Sequence, residues 1–91
     1  MNSRKPQDGL AGLHAEIAAE KAGALGRIAE KLEALLAACE RLRAEGLLVE
    51  YERTRAEAKL FYWYLVVQRE SVGMYEHSVI ARLYPIPPRL T

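Results

Sequence analysis

The chain has 91 residues, a single cysteine, and a formal charge of +1 from 13 Lys and Arg against 12 Asp and Glu. That length allows one small domain, near the size where a single core is only marginally adequate and oligomerisation is a common remedy. The balanced charge excludes a long-range field steering the protein to nucleic acid or an anionic membrane; a single cysteine excludes an intramolecular disulfide and, with two isolated histidines, leaves too few soft ligands for zinc.

Residues 1–8 read as a flexible polar N-terminus, with none of the uninterrupted apolar stretch that a secretory signal needs. The longest apolar run is eight residues, against roughly 18 to 20 needed to span a bilayer. A soluble, cytoplasmic protein is expected, with no metal and no cofactor.

From Leu10 onward, Leu13, Ile17, Ala24, Ile28, Leu32, Leu35, Cys39 and Leu42 recur at helical spacings. They predict one long amphipathic helix over 9–45. Asp8 is the expected N-cap, since a carboxylate there accepts from the orphan amides of the first turn, and Gly46 the residue that ends the helix in left-handed geometry. The first half of the stripe, with polar Glu20 in it, runs one residue out of phase with the second. This stutter coincides with Ala18, Ala19, Ala22, Gly23, Ala24 and Gly26. Glycine within a helix costs about 1 kcal/mol relative to alanine. The patch therefore predicts either close approach by large side chains from elsewhere, the first reading, or a kink.

A second helix is predicted over 49–72, with Tyr51, Ala58, Leu65 and Val72 seven apart and mixed charge along its first half. Its second half is the run Leu60, Phe61, Tyr62, Trp63, Tyr64, Leu65, Val66 and Val67. A helix apolar around its whole circumference must be covered on all sides, and a chain this short has little to cover it with. These eight residues are the expected interface. A strand is rejected because the chain offers no second strand to pair with it. Gly73 ends the helix; a short third helix over 75–83 precedes Pro85, and residues 85–91 form an extended, packed, Pro-rich tail.

The short connection around Leu47 folds the long helices into an antiparallel hairpin in which residue n faces roughly residue 94 minus n. The expected fold is therefore all-α: a hairpin of two long helices plus a short third, dimerising about a two-fold axis into a four-helix bundle. Glu20 and Arg69 both fall on buried stripes, which predicts a cross-helix or cross-subunit ion pair; the alternative is that both reach solvent from the stripe edge.

Acid–base or nucleophilic chemistry has one nominal candidate, His77 beside Glu76 with Ser71 and Ser78 near, and capping of helix ends explains it better. Cys39 reads as a small buried hydrophobe. Arg41, Arg43, Arg53 and Arg55 converge at the hairpin tip among Glu40, Glu45, Glu50 and Glu52, a salt-bridged end with little net field.

Trp63, the segment Val67-Gln68-Arg69-Glu70-Ser71-Val72-Gly73, and the close Tyr84-Pro85-Ile86-Pro87 resemble small, uncharacterised bacterial helical proteins grouped as a domain of unknown function. The resemblance covers about Trp63 to Pro87 and implies a cytoplasmic bacterial protein with no known activity. The expected role is that of a non-enzymatic, self-associating interaction module. Two alternatives stand beside it: a ligand binder or enzyme with a pocket near Trp63 and Arg69, and a subunit that uses the same run against another protein.

Overall fold

The structure, a computed structural model, describes residues 4–90, with side chains from Leu10 onward. It has three helices: α1 (Arg4–Ala44), α2 (Leu48–Glu70) and α3 (Ser78–Leu83). The architecture is the all-α hairpin with a short third helix that the apolar spacing predicts.

Both turns are closed by the same device. Gly46 has φ 75°; the Leu47 amide donates to the Leu42 carbonyl and the Gly46 amide to Arg43, the paired bonds that satisfy orphan carbonyls at a helix end. At Gly73, φ 85°, Met74 donates to Arg69 and Gly73 to Glu70 in the same pattern. A side chain at either position would meet the Cβ clash of left-handed backbone.

α1 begins at Arg4, so Asp8 lies inside the helix and is not its N-cap. Pro6 falls in the first turn, where its missing N–H is one of the amides that has no helical partner anyway. The helix also runs without interruption through Gly23 and Gly26, and the close approach expected there does not occur. A Cβ on Gly26 would meet nothing within 4 Å, and one on Gly23 only the guanidinium of Arg27 on the same helix, at 3.2 Å. Gly26→Ala is accordingly expected to stabilise the protein by about 0.5–1 kcal/mol through helix propensity and unfolded-state entropy. A loss of stability in urea would show that another surface packs on this patch.

Hairpin register follows from three contacts. Lys31 Nζ lies 5.8 Å from the Phe61 ring centroid and 3.9 Å from the Glu57 carboxylate, while Lys21 Nζ donates to the Ser71 carbonyl at 3.3 Å. The Phe61 and Ser71 contacts set residue n opposite roughly residue 92 minus n, two residues from the expected register, with Glu57 one helical turn from Phe61. Leu32, Leu35 and Cys39 on α1 and Tyr51, Ala58 and Leu65 on α2 are buried, with Ile80 of α3 closing the cluster. Each large apolar side chain so buried contributes about 1.5–3 kcal/mol. Ala58, fully buried at the waist of α2, leaves room for a third layer over this side of the hairpin.

That layer is α3 and the tail. Val79, Tyr84 and Ile86 pack against the core cluster, and the extended residues after Pro85 run back to the tip. Tyr51 Oη donates to the Pro88 carbonyl at 2.6 Å, Arg55 Nε to the Pro87 carbonyl at 2.6 Å, and the Leu90 amide to Glu52 Oε2 at 3.0 Å. Val72, by contrast, leaves the seven-residue ladder: α2 stops at Glu70, and Val72 is exposed in the turn. α3 starts at Ser78, later than the spacing suggested. Glu76 accepts both the Ser78 amide (2.9 Å) and its hydroxyl (2.7 Å), which caps the helix from outside it.

The molecule is elongated, 69 × 21 × 15 Å with a radius of gyration of 18.6 Å, against about 12 Å for a compact chain of this length. Its surface is 6512 Å², where a compact monomer of this mass would expose about 5,300 Å². The excess comes from α1, which runs on for some 26 Å past the level at which α2 ends.

Candidate functional site

The apolar run on α2 divides between two faces. Leu65 is buried, and Phe61, Tyr62 and Val66 are half-buried against the core. Leu60, Trp63, Tyr64 and Val67 point away from the hairpin and are exposed, Trp63 by 60%. Of the eight residues expected at an interface, these four are the most exposed, three are shared with the core and Leu65 is buried within the chain. Their spacing of three, four and seven makes one continuous stripe along the helix. Tyr64 is braced by an edge-on contact with Phe61, ring centroids 5.2 Å apart.

Glu20 and Arg69 do not pair within the chain. Glu20 is exposed on α1, and the Arg69 guanidinium turns into the α2–α3 connection. There its Nε donates to His77 Nδ1 at 3.3 Å and its Nη2 to the Glu76 carbonyl at 2.7 Å. The expected register is off by about two residues, and the loop carbonyl and imidazole offer the guanidinium its acceptors. Arginine has no acceptor, so Nδ1 must be the unprotonated nitrogen of His77, and its Nε2–H donates to Glu70 Oε2 at 3.0 Å. Ser71 Oγ is occupied with the Gln68 carbonyl. The grouping that looked nominally catalytic in sequence is a knot that holds the turn, with no nucleophile aligned on the imidazole.

Trp63 and Arg69 lie about 120° apart around α2. An open groove of about 400 Å³ runs between α1 and the tail, walled by Glu33, Leu36, Glu40, Leu83, Tyr84 and Pro87. Among the described residues no three His, Cys, Asp or Glu gather where they could hold a metal ion.

Two groups are perturbed by their surroundings. Burial pushes the Cys39 thiol up, with Arg55 pulling down and Glu52 adding a little; it remains an un-ionised small hydrophobe. The Glu76 carboxyl is held below the ordinary carboxylate range, first by the Ser78 hydroxyl and then by the Ser78 amide. Because the folded-state value is depressed, the stabilisation of α3 by Glu76 is complete above the ordinary carboxylate range and is lost as pH falls through the lowered value. Glu76→Gln should remove this acid-side loosening of α3; an NMR titration placing the Glu76 midpoint at or above that of an unstructured glutamate would contradict it.

Structure and surface together define a helical hairpin with apolar helix surface left uncovered and no assembled catalytic site among the described residues. The chain belongs to the family of unknown function DUF6665, which matches it over residues 1–91. The likeness seen over Trp63 to Pro87 thus extends along the whole sequence. No curated protein and no solved structure matches it. Among the described residues, no helix is long and apolar enough to cross a membrane.

Proposed function

We propose that the protein is a non-enzymatic interaction module of the bacterial cytoplasm that works as a homodimer, joined through the outer face of α2. One observation carries this reading. The half of α2 that supplies Leu65 to the core also presents Leu60, Trp63, Tyr64 and Val67 to solvent, and an exposed continuous apolar stripe with a central Trp is the composition of an interface core.

Trp63→Ala tests it. Trp63 makes little use of its own chain, so the substitution should leave helicity and monomer stability nearly unchanged. Loss of an interface-centre Trp should weaken self-association by more than 2 kcal/mol, some 30-fold or more in Kd. Sedimentation equilibrium of both proteins reads the outcome, and a wild type that stays monomeric at tens of micromolar would refute self-assembly. The same stripe could instead serve a different protein, in which case the wild type is monomeric with its Trp in water.

A further inference from the structure

A second apolar stripe lies beyond the end of α2 and is left uncovered by the described residues. Leu10, Leu13 and Ile17 sit on the stretch of α1 beyond the end of α2 and are 52%, 53% and 42% exposed. They continue the inward face of the helix: Leu10 is eighteen residues from Ile28 and Ile17 eighteen from Leu35, five full turns at 3.6 residues per turn. Ile28 and Leu35 face the hairpin core. The overhang therefore points its stripe into the space that α2 vacates, one helix diameter of about 8–10 Å deep. In profile the molecule is a step, with apolar side chains on the tread below and along the top of the riser.

Two such steps interlock. We propose that the overhang of α1 in each chain docks in parallel along the outer stripe of α2 in a second copy, Leu10 on Leu60, Leu13 on Trp63 and Tyr64, and Ile17 on Val67. This rests on the self-association proposed above and names what covers the stripe.

The register comes from a contact that has nothing to do with either stripe. Lys21 stands level with Ser71, where α2 gives way to its turn. A two-fold axis at that level abuts the two α2 ends and lays the partner's overhang over α2, running the same way. Moving away from the axis, the partner's residue 21 minus k then lies beside residue 71 minus k, a constant offset of 50. That offset places 10, 13 and 17 on 60, 63 and 67, the residues that are exposed and apolar on each side. Matched three- and four-residue spacings are what two parallel helices need to interleave side chains.

Area favours the same pairing over a contact of α2 with α2. With aromatic side chains of about 150–250 Å² and their aliphatic neighbours somewhat smaller, the α2 stripe alone exposes roughly 400 Å² per chain. A standard interface takes about 800 Å² from each partner. Adding the α1 stripe brings the apolar side chains alone to roughly 650 Å², before the alanines and aliphatic stems between them.

Leu13→Glu in the full chain separates the possibilities, because Leu13 packs on nothing in its own core and Trp63, the only tryptophan, reports its own burial by fluorescence. The expected result is an unchanged helical monomer, a dimer Kd raised at least about 100-fold, and a red shift of Trp63 emission to that of the diluted wild type. A wild-type dimer that Leu13→Glu leaves intact, with Trp63 still in an apolar surrounding, overturns the docking of the overhang and leaves self-association standing. A wild type that is monomeric with its Trp in water overturns both. In a Cys39→Ala background, mixing Ile17→Cys chains with Val67→Cys chains should give a disulfide-linked pair, since these positions come within bridging distance in that register. Cross-linking of Ile17→Cys to Leu60→Cys instead would refute the register.

Discussion

Tyr51→Ala is expected to destabilise the folded chain by about 3–5 kcal/mol, the range for removing a large aromatic from a packed site. The ring is fully buried at the hairpin tip, and its hydroxyl donates at 2.6 Å to the carbonyl of Pro88. The loss therefore has two parts. Tyr51→Phe keeps the ring and removes only the hydrogen bond, for about 1 kcal/mol or somewhat more if the Pro88 carbonyl is left dry. The difference between the two substitutions is the packing that the tail shares with α1 and α2. Limited proteolysis should report the same event locally, with cleavage after Arg89 rising in Tyr51→Ala. An equilibrium urea midpoint unchanged in Tyr51→Ala would mean that the tail does not pack on the tip in solution.

Leu32→Ala should cost about 2.7–5 kcal/mol. Leu32 is fully buried among Leu35, Ala58, Leu65 and Ile80, and rigid helix backbones on two sides limit how far the cavity can collapse. A chain of this length has roughly 5–14 kcal/mol of stability in all, so this one substitution removes a large part of it. Leu13→Ala on the same helix is the informative contrast. Leu13 is half-exposed outside the hairpin, and its truncation should leave the stability of a dilute monomer nearly unchanged. Both measurements belong at several protein concentrations, because a dimer's apparent stability rises with concentration by mass action. Equal effects of the two substitutions on a dilute sample would contradict the packing described.

The parts of this fold legible in the sequence were those governed by short-range rules. Gly46 and Gly73 mark helix ends because left-handed backbone excludes a Cβ, and this needs no knowledge of the partner element. The seven-residue ladder of Tyr51, Ala58 and Leu65 is one face of a helix read directly from the residues. Asp8 misled because a capping residue signals a start only where the preceding residues cannot themselves be helical, and Pro6 is compatible with a first turn. The stutter at Gly23 and Gly26 was legible as a pattern, but its consequence was not: whether small residues invite a neighbour depends on where that neighbour's chain runs.

Arg69 shows the same limit at the site. Its stripe position suggested a partner across the hairpin, yet the guanidinium takes a loop carbonyl and an imidazole whose positions arise only once the Gly73 turn is built. The Tyr51 to Pro88 bond joins residues far apart in sequence through a backbone carbonyl, which leaves no side-chain signature. Two apolar stripes with equal spacing were present in the sequence all along. That they face different ways, one beyond the end of α2 and one on its far side, required the three-dimensional offset between the helices.

The return of the tail to the hairpin tip also orders folding in time. Closing α1 on α2 needs only a short loop, so its entropic cost is small and it belongs among the early, fast events. Tyr51, Arg55 and Glu52 gain their partners only when residues 87–90 arrive from the far side of the molecule, across a much longer loop. The contacts between tail and tip should therefore be absent from the folding transition state, so that Tyr51→Phe changes the unfolding rate and hardly the folding rate. The tail then acts as a latch, whose strength sets how long a folded chain lasts more than how quickly it forms.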